Sequence, residues 1–340
     1  MDDENDFDVA VVGGGPAGLT AALYTTRLGH DTVVINRGGG RAAMMRDTHN
    51  VIGVTEDVSG NELLQAAIDQ IQDYGAAYRR GVVTDVETAD GSRRFRVETG
   101  EDELAVDRVV LATGFSDEHP DPPLPRTGRG LHYCLHCDAY MFVDESVYVM
   151  GHNESAAHVA MIMLNFTDEV DLLLRGHNPE WSEETDRQLR AHPVEIVDSE
   201  IESKFSEEQS PEWLGGFAFE DGTRREYKGG FAMYGSQYNN DLATGLGCEL
   251  TDDGTVAVDD HGRTSVEGVL AVGDLTPGHN QIPVAMGQGA KAGIAIHHDL
   301  RRFPMSIEEI EAAGGVDSED VPAVSADLQS SSASRAAGDD

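Results

Sequence analysis

The chain has 340 residues, enough for two compact domains, and its 39% apolar content can fill two cores without a network of disulfides. Acidic residues outnumber basic ones 62 to 24, for a formal net charge of −38, and only Lys204, Lys228 and Lys291 are lysine. Such a surface repels a phosphate backbone, which excludes nucleic acid as a partner, and repels itself unless salt screens it, so the composition reads as adaptation to a very salty (halophilic) cytosol.

The N-terminus runs from Met1-Asp2-Asp3 into a strand pattern at 7–12 without a basic, apolar signal region, so the expected compartment is the cytoplasm. Gly13-x-Gly15-x-x-Gly18 follows at once, then a helix over 19–28 and a second strand over 32–35. Between strand and helix, each glycine of that motif has a mechanical reason. Gly13 allows the tight turn, Gly15 the close approach of backbone to a pyrophosphate, and Gly18 the packing of helix on strand, while the helix N-terminus stabilises phosphate charge. A dinucleotide fold usually has an acid at the end of the second strand; here Asn36 stands there, whose side-chain oxygen can still accept a hydrogen bond.

Residues 60–80 read as one amphipathic helix, and 94–99 and 108–111 as strands, the latter ending in Ala112-Thr113-Gly114. The proline-rich stretch 119–125 reads as an interdomain linker. After it the strand, loop and helix pattern starts again: strand 147–150, a loop from Gly151 to Ala156, a helix from 157 and a strand at 170–174. Asn153 occupies the middle glycine position of this second loop, which hinders close approach of a pyrophosphate. A third segment, from near Gly235, holds a strand at 268–273 ending in Gly273-Asp274 and a glycine- and alanine-rich helix over 281–296. No apolar run approaches the roughly 18 residues that span a bilayer, so no membrane segment is expected.

Between the two nucleotide-type units lies Cys134-Leu135-His136-Cys137-Asp138. Two thiols at this spacing cycle between dithiol and disulfide; the thiolate is the attacking species, and a helix N-terminus lowers the pKa of one of them. A charged His136 would lower it further, against the simpler reading of a solvated spacer; Asp138 could serve only as a helix cap. Zinc is the other use of such a pair, but there is no second pair, Cys248 stands alone, and His132 is too close in sequence to complete a tetrahedron. Cys248 reads as a small buried hydrophobe.

Gly13-x-Gly15-x-x-Gly18, Ala112-Thr113-Gly114, Cys134-x-x-Cys137-Asp138 and Gly273-Asp274, in that order, together resemble the low-molecular-weight thioredoxin reductases and their flavoprotein relatives. The resemblance implies an α/β fold of two Rossmann-like three-layer domains and a homodimer. The FAD domain would be discontinuous, 1–119 and 236–312, with an inserted NAD(P)-type domain, 120–235, carrying the dithiol; 313–340 reads as a disordered acidic tail. It also implies that Gly13, Gly15, Ala17 and Gly18 line the FAD pyrophosphate, that Asn36, Thr113 and Gly114 lie toward the adenosine side, and that Gly273 and Asp274 meet the ribityl or pyrophosphate region. Gln281, Ile282 and Pro283 would open a helix facing the flavin, with Asn50 beside it. Cys137 would face the flavin and form the transient adduct, Cys134 would attack the partner's disulfide, and Asp138 would shuttle the proton.

One part of the pattern is missing. Relatives that use NADPH clamp its 2′-phosphate with a His-Arg-Arg-x-x-x-Arg run, whereas the matching positions here read Leu174-Arg175-Gly176, with Glu180 at the last arginine. The electron donor is therefore open between NADPH, NADH and ferredoxin. The leading expectation is a flavin-dependent reductase of a thioredoxin-like disulfide. The alternatives are a dithiol oxidase passing electrons to oxygen, in which histidine usually follows the second cysteine, and a non-catalytic flavin-binding protein.

Overall fold

Val9, Ala10, Val11 and Val12 are buried on both faces of the strand Asp6–Val12, as a strand at the centre of a parallel sheet must be. The computed structural model describes residues 5–121, 123–124, 126–301, 303, 305–315, 324, 328–330 and 332. They divide into two compact units: the described residues within 5–43, 57–115 and from 238 onward, and those within 44–56 and 116–237.

In the first unit the strand order is Ala77–Arg80, Thr32–Asn36, Asp6–Val12, Glu103–Leu111, Phe95–Thr99, Val83–Thr88. Asp6–Val12 pairs in parallel with both neighbours, Val9 facing Thr32 on one side and Arg108 on the other. The far side of Glu103–Leu111 is shared: its first half pairs antiparallel with Phe95–Thr99, its last three residues parallel with Val269–Ala271. Alternate side chains feed two cores, Val9 and Val11 one and Ala10 and Val12 the other. The helices Pro16–Arg27 and Ile282–Leu300 cover the first face.

The 60–80 segment is not one helix. The helix Gly60–Gln72, opened by a Ser59–Glu62 capping box, stops, and Ala77–Arg80 is a strand paired in parallel with Val33–Asn36. Gly75, at φ +98°, makes the turn; the pairing of the strand outweighs the helical pattern of the sequence.

The second unit has a five-stranded parallel sheet in the order Val194–Val197, Val170–Leu173, Val147–Met150, Gly229–Ala232, Leu131–His132, and a three-stranded antiparallel sheet of Ile201–Ser206, Leu214–Phe219 and Arg224–Glu226. Segment 44–56 clusters with it: the Arg46 guanidinium lies 5.6 Å over the Trp213 ring, and His49 stands edge-on to Tyr140 at 5.6 Å. Residues 306–315 hold the capped helix Ile307–Ala313. The tail expected to be disordered, 313–340, lies for the most part outside the described residues. Among the described residues no helix is long and apolar enough to cross a membrane.

Candidate active site

Strand Asp6–Val12 delivers the chain into a glycine turn whose geometry explains its composition. Gly13 has φ +114°, and a Cβ there would lie 2.3 Å from the Ala112 carbonyl oxygen. On Gly18 a Cβ would lie 2.0 Å from the Gly13 carbonyl oxygen, so helix and strand meet backbone to backbone. Gly15 differs: it caps the helix Pro16–Arg27 without any side-chain bond, and nothing lies within 4 Å of where its Cβ would be. An uncapped helix N-terminus above an open glycine fits a dinucleotide pyrophosphate, so the residues present fit FAD.

The other flavin candidates of this unit converge on the same helix. A Cβ on Gly273 would lie 2.8 Å from Cβ of Ala17, and the Gly273 N–H donates to Gln288 Oε1 at 2.8 Å. Asp274 follows, with Arg41 Nη1 at 3.7 Å from its Oδ2. Gln281 caps the helix Ile282–Leu300, with Pro283 in its first turn. Thr113 Oγ1 donates to the Asn239 carbonyl at 2.7 Å and Asn239 Nδ2 returns to the Thr113 carbonyl at 2.9 Å, while the Asn239 N–H donates to Gly114 O. Arg41, Asn239 and Gln288 carry no motif and were not singled out in the sequence.

Asn36 packs against the first glycine turn, where a Cβ on Gly14 would lie 2.6 Å from its Nδ2, and Asn50 stands on a separate segment. The Asn36 oxygen accepts the Gly38 N–H at 3.2 Å and its Nδ2 donates to the Tyr78 hydroxyl at 2.9 Å, so this amide organises the following glycine turn. Asn50 is exposed on segment 44–56, which clusters with the second unit rather than with the other flavin candidates.

In the second unit Cys134 and Cys137 form a disulfide, with Cα atoms 5.3 Å apart. Cys134 caps a helix of one turn, Leu135–Asp138, so few peptide dipoles are aligned to stabilise its thiolate. His136 is exposed. Asp138 makes no cap bond; its Oδ2 lies 2.7 Å from Nδ1 of His132, a side chain only 5% exposed. The His132 ring stands edge-on to Phe142 at 5.3 Å and tilted against Phe231 at 6.0 Å. Weighed in the sequence only as a metal ligand, His132 is the partner of the carboxyl beside the dithiol. Among the described residues no cluster of three or more His, Cys, Asp or Glu could hold a metal ion. Cys248 is buried, its Sγ 3.5 Å from Thr264 Oγ1, and burial pushes its thiol pKa up.

The second glycine loop is closed by its own side chains. Asn153 Oδ1 accepts the Ala156 N–H at 2.9 Å and Nδ2 donates to the Met233 carbonyl at 2.8 Å, so the N-terminus of the helix Glu154–Met163 is already capped. Glu154, in that first turn, accepts from the Thr185 hydroxyl and the Ser182 N–H; these bonds hold its carboxyl below the usual range, and so negatively charged. Arg175, the one arginine left from the clamp, is 6% exposed and donates to the Asp121 carbonyl and, at 3.4 Å, to the Tyr234 hydroxyl. A capped helix end, a carboxylate on it and a committed arginine do not fit the phosphates of a pyridine dinucleotide.

Comparison with known proteins agrees with this anatomy. The profile of the pyridine nucleotide-disulphide oxidoreductases matches residues 7–289. The chain is 32% identical over 309 residues to a component of the alkyl hydroperoxide reductase of Pseudomonas putida, covering 87% of this chain but only 58% of that protein's length. It is 31% identical to thioredoxin reductase of Aquifex aeolicus, with 85% and 92% covered, and 28% identical to that of Bacillus subtilis, with 92% and 100% covered. Among solved structures it is similar to HlmI (TM-score 0.80, 29% identity, 92% and 96% covered) and to thioredoxin reductase from Streptococcus pyogenes (TM-score 0.79, 27% identity, 88% and 100% covered). The chain belongs to the pyridine nucleotide-disulphide oxidoreductase family, whose thioredoxin reductase-like members bind FAD and NAD(P)H, and it is an oxidoreductase acting on a disulfide.

Proposed function

We propose that the protein reduces the disulfide of a thioredoxin-like partner through Cys134 and Cys137, with FAD held by Gly13, Gly15, Ala17, Gly18, Thr113, Gly114, Gly273, Asp274 and the helix begun by Gln281, Ile282 and Pro283. The observation that carries it is the Cys134–Cys137 disulfide, joined to Asp138 and His132, in a chain whose first unit offers an open, uncapped nucleotide cradle. Asn36 orders the turn behind that cradle, and Asn50 retains its place beside the flavin by resemblance alone. A cytoplasmic homodimer in a salt-rich cell completes the reading, resting on the resemblance and on the charge of −38.

When bound, FAD would supply the two electrons that open the Cys134–Cys137 disulfide. Two protons complete the Cys134 and Cys137 thiols. The Cys134 thiol loses its proton to solvent and, as the thiolate, attacks the partner's disulfide, forming a mixed disulfide and releasing one partner thiolate, which takes a proton from solvent. Cys137 gives its proton to the Asp138 carboxylate and attacks Cys134 Sγ; the Cys134–Cys137 bond re-forms, and the second partner sulfur leaves with a proton.

The electron donor would be a reduced iron–sulfur protein of the ferredoxin type, because the second glycine loop is occupied by Asn153 and Glu154 and Arg175 is committed elsewhere. Anaerobic titration of the yellow protein in high salt tests this. Reduced ferredoxin should bleach the flavin stoichiometrically, and NADPH or NADH should not. Rapid bleaching by NADPH overturns the choice of donor, and a colourless protein that takes up no FAD overturns the whole reading. One observation favours the oxidase alternative: an imidazole, that of His132, is bonded to the carboxyl of Asp138, the residue after Cys137. Oxygen uptake driven by small dithiols and faster than disulfide reduction would select it.

A further inference from the structure

The His132–Asp138 pair is unusual in what surrounds it. His132 Nε2 is buried and has no hydrogen-bond partner among the described residues, while Nδ1 lies 2.7 Å from Asp138 Oδ2. A hydrogen on Nε2 would find no partner between Phe142 and Phe231. With hydrogen on Nδ1 the ring leaves only a lone pair unmatched at Nε2 and gives the Asp138 carboxylate a donor.

We infer that His132 is a positioning residue for the dithiol reaction: its Nδ1–H fixes the Asp138 carboxylate next to Cys137, so that the proton released by Cys137 is taken up by a base held in one place. This rests on the proposed role of Asp138. The proton balance is closed. Cys137–SH and Asp138–COO⁻ become thiolate and acid; the thiolate forms the bond to Cys134 Sγ as the bond to the partner's sulfur breaks; the acid returns its proton to that leaving thiolate.

Other charged groups surround the pair. Tyr140, raised by burial and by the carboxyls of Glu56, Asp138 and Asp47, lies toward Asp138, with His49 edge-on to it. Glu207 and Lys228 share a small cavity of about 190 Å³ with His132. None of them is hydrogen-bonded to Asp138 Oδ2, so the loss of His132 is separable from theirs.

The test uses the full-length holoenzyme, reduced anaerobically with dithionite in high salt and mixed with dithiobis(nitrobenzoate) as a small disulfide, over about pH 5 to 9. Asp138→Asn should slow thiolate release by about 100-fold. His132→Leu should slow it about tenfold, because the Asp138 carboxylate loses the group that holds it in one place. His132→Asn, which keeps an N–H near the same place, should restore most of the rate, which a merely structural role of the ring would not allow. Flavin absorbance should confirm that each variant folds. If His132→Leu does not fold, His132→Gln, whose amide is displaced by one carbon, replaces it. Asp138→Asn at the wild-type rate would sink the role of Asp138. A slow Asp138→Asn beside a His132→Leu (or His132→Gln) at the wild-type rate, or a His132→Asn as slow as His132→Leu, would sink this inference alone.

Discussion

A methyl group on Gly289 would lie 2.2 Å from the carbonyl oxygen of Ala17, so the helices Ile282–Leu300 and Pro16–Arg27 cross with no room for a side chain at that point. Gly293 repeats the contact one turn on, where a Cβ would lie 2.7 Å from Cβ of Tyr24. The neighbour at Gly289 is backbone, which cannot swing aside, so Gly289→Ala should destabilise by about 1–3 kcal/mol. Gly287, on the same helix, has nothing within 4 Å, and Gly287→Ala should stabilise by about 0.5–1 kcal/mol. Urea unfolding midpoints in high salt check both; equal shifts would mean that the crossing is not tight.

Asn153 closes the second glycine loop through Ala156 N–H. Asn153→Gly should cost only a few tenths of a kcal/mol of stability, since glycine is itself a tolerable N-cap. Combined with Glu180→Arg, it should tighten NADPH binding at least about tenfold, or about 1.4 kcal/mol, measured by quenching of nicotinamide fluorescence. Tight binding by the wild-type protein would contradict the reading of this loop.

Cys248 is buried, and burial raises its thiol above its ordinary value of 9.0, so near neutral pH it is protonated and unreactive. Iodoacetamide should label Cys134 and Cys137 in the reduced native protein and spare Cys248, as peptide mass spectrometry would report; Cys248 should react only after unfolding.

Arg225 bonds Glu195 and, at 2.9 Å, Asp171. The Arg225 hydrogen bond lowers the Glu195 pKa from its ordinary 4.5. The contribution to stability is therefore present above about that value and lost as pH falls through the lower folded value. Because Glu195 is 61% exposed, the pair is screened, and Glu195→Gln should lower stability at neutral pH by less than about 1 kcal/mol. The variant and wild type should converge as pH falls through the lowered folded value, a comparison that thermal melts can make.

A net charge of −38 should make the fold depend on salt. The screening length falls from about 10 Å at 0.1 M to about 3 Å at 1 M, so melting temperature should rise steeply across that range and flatten beyond it. A salt-independent melting temperature would remove the argument for a halophilic protein.

Much of this anatomy was legible in the chain because it depends on neighbours in sequence. The strand Asp6–Val12 could be read from its apolar run, and the turn at Gly13 from a motif whose spacing is set by one strand meeting one helix. The dithiol was legible for the same reason. Residues 60–80 misled because a helical periodicity continues past Gln72, where pairing with Thr32–Asn36, more than 40 residues away in sequence, takes Ala77–Arg80 into a strand.

By itself, then, the sequence determined the order of elements, the glycines that turn them and the reactive pair of sulfurs, because each follows from local sterics or from the chemistry of one residue type. Only the tertiary structure decided which polar groups satisfy one another. His132 meets Asp138, Asn239 meets Thr113, and Arg175 is drawn to the Asp121 carbonyl, across separations of 6, 126 and 54 residues. Buried polar groups take whatever partner the packing brings within reach, and no spacing rule encodes that choice.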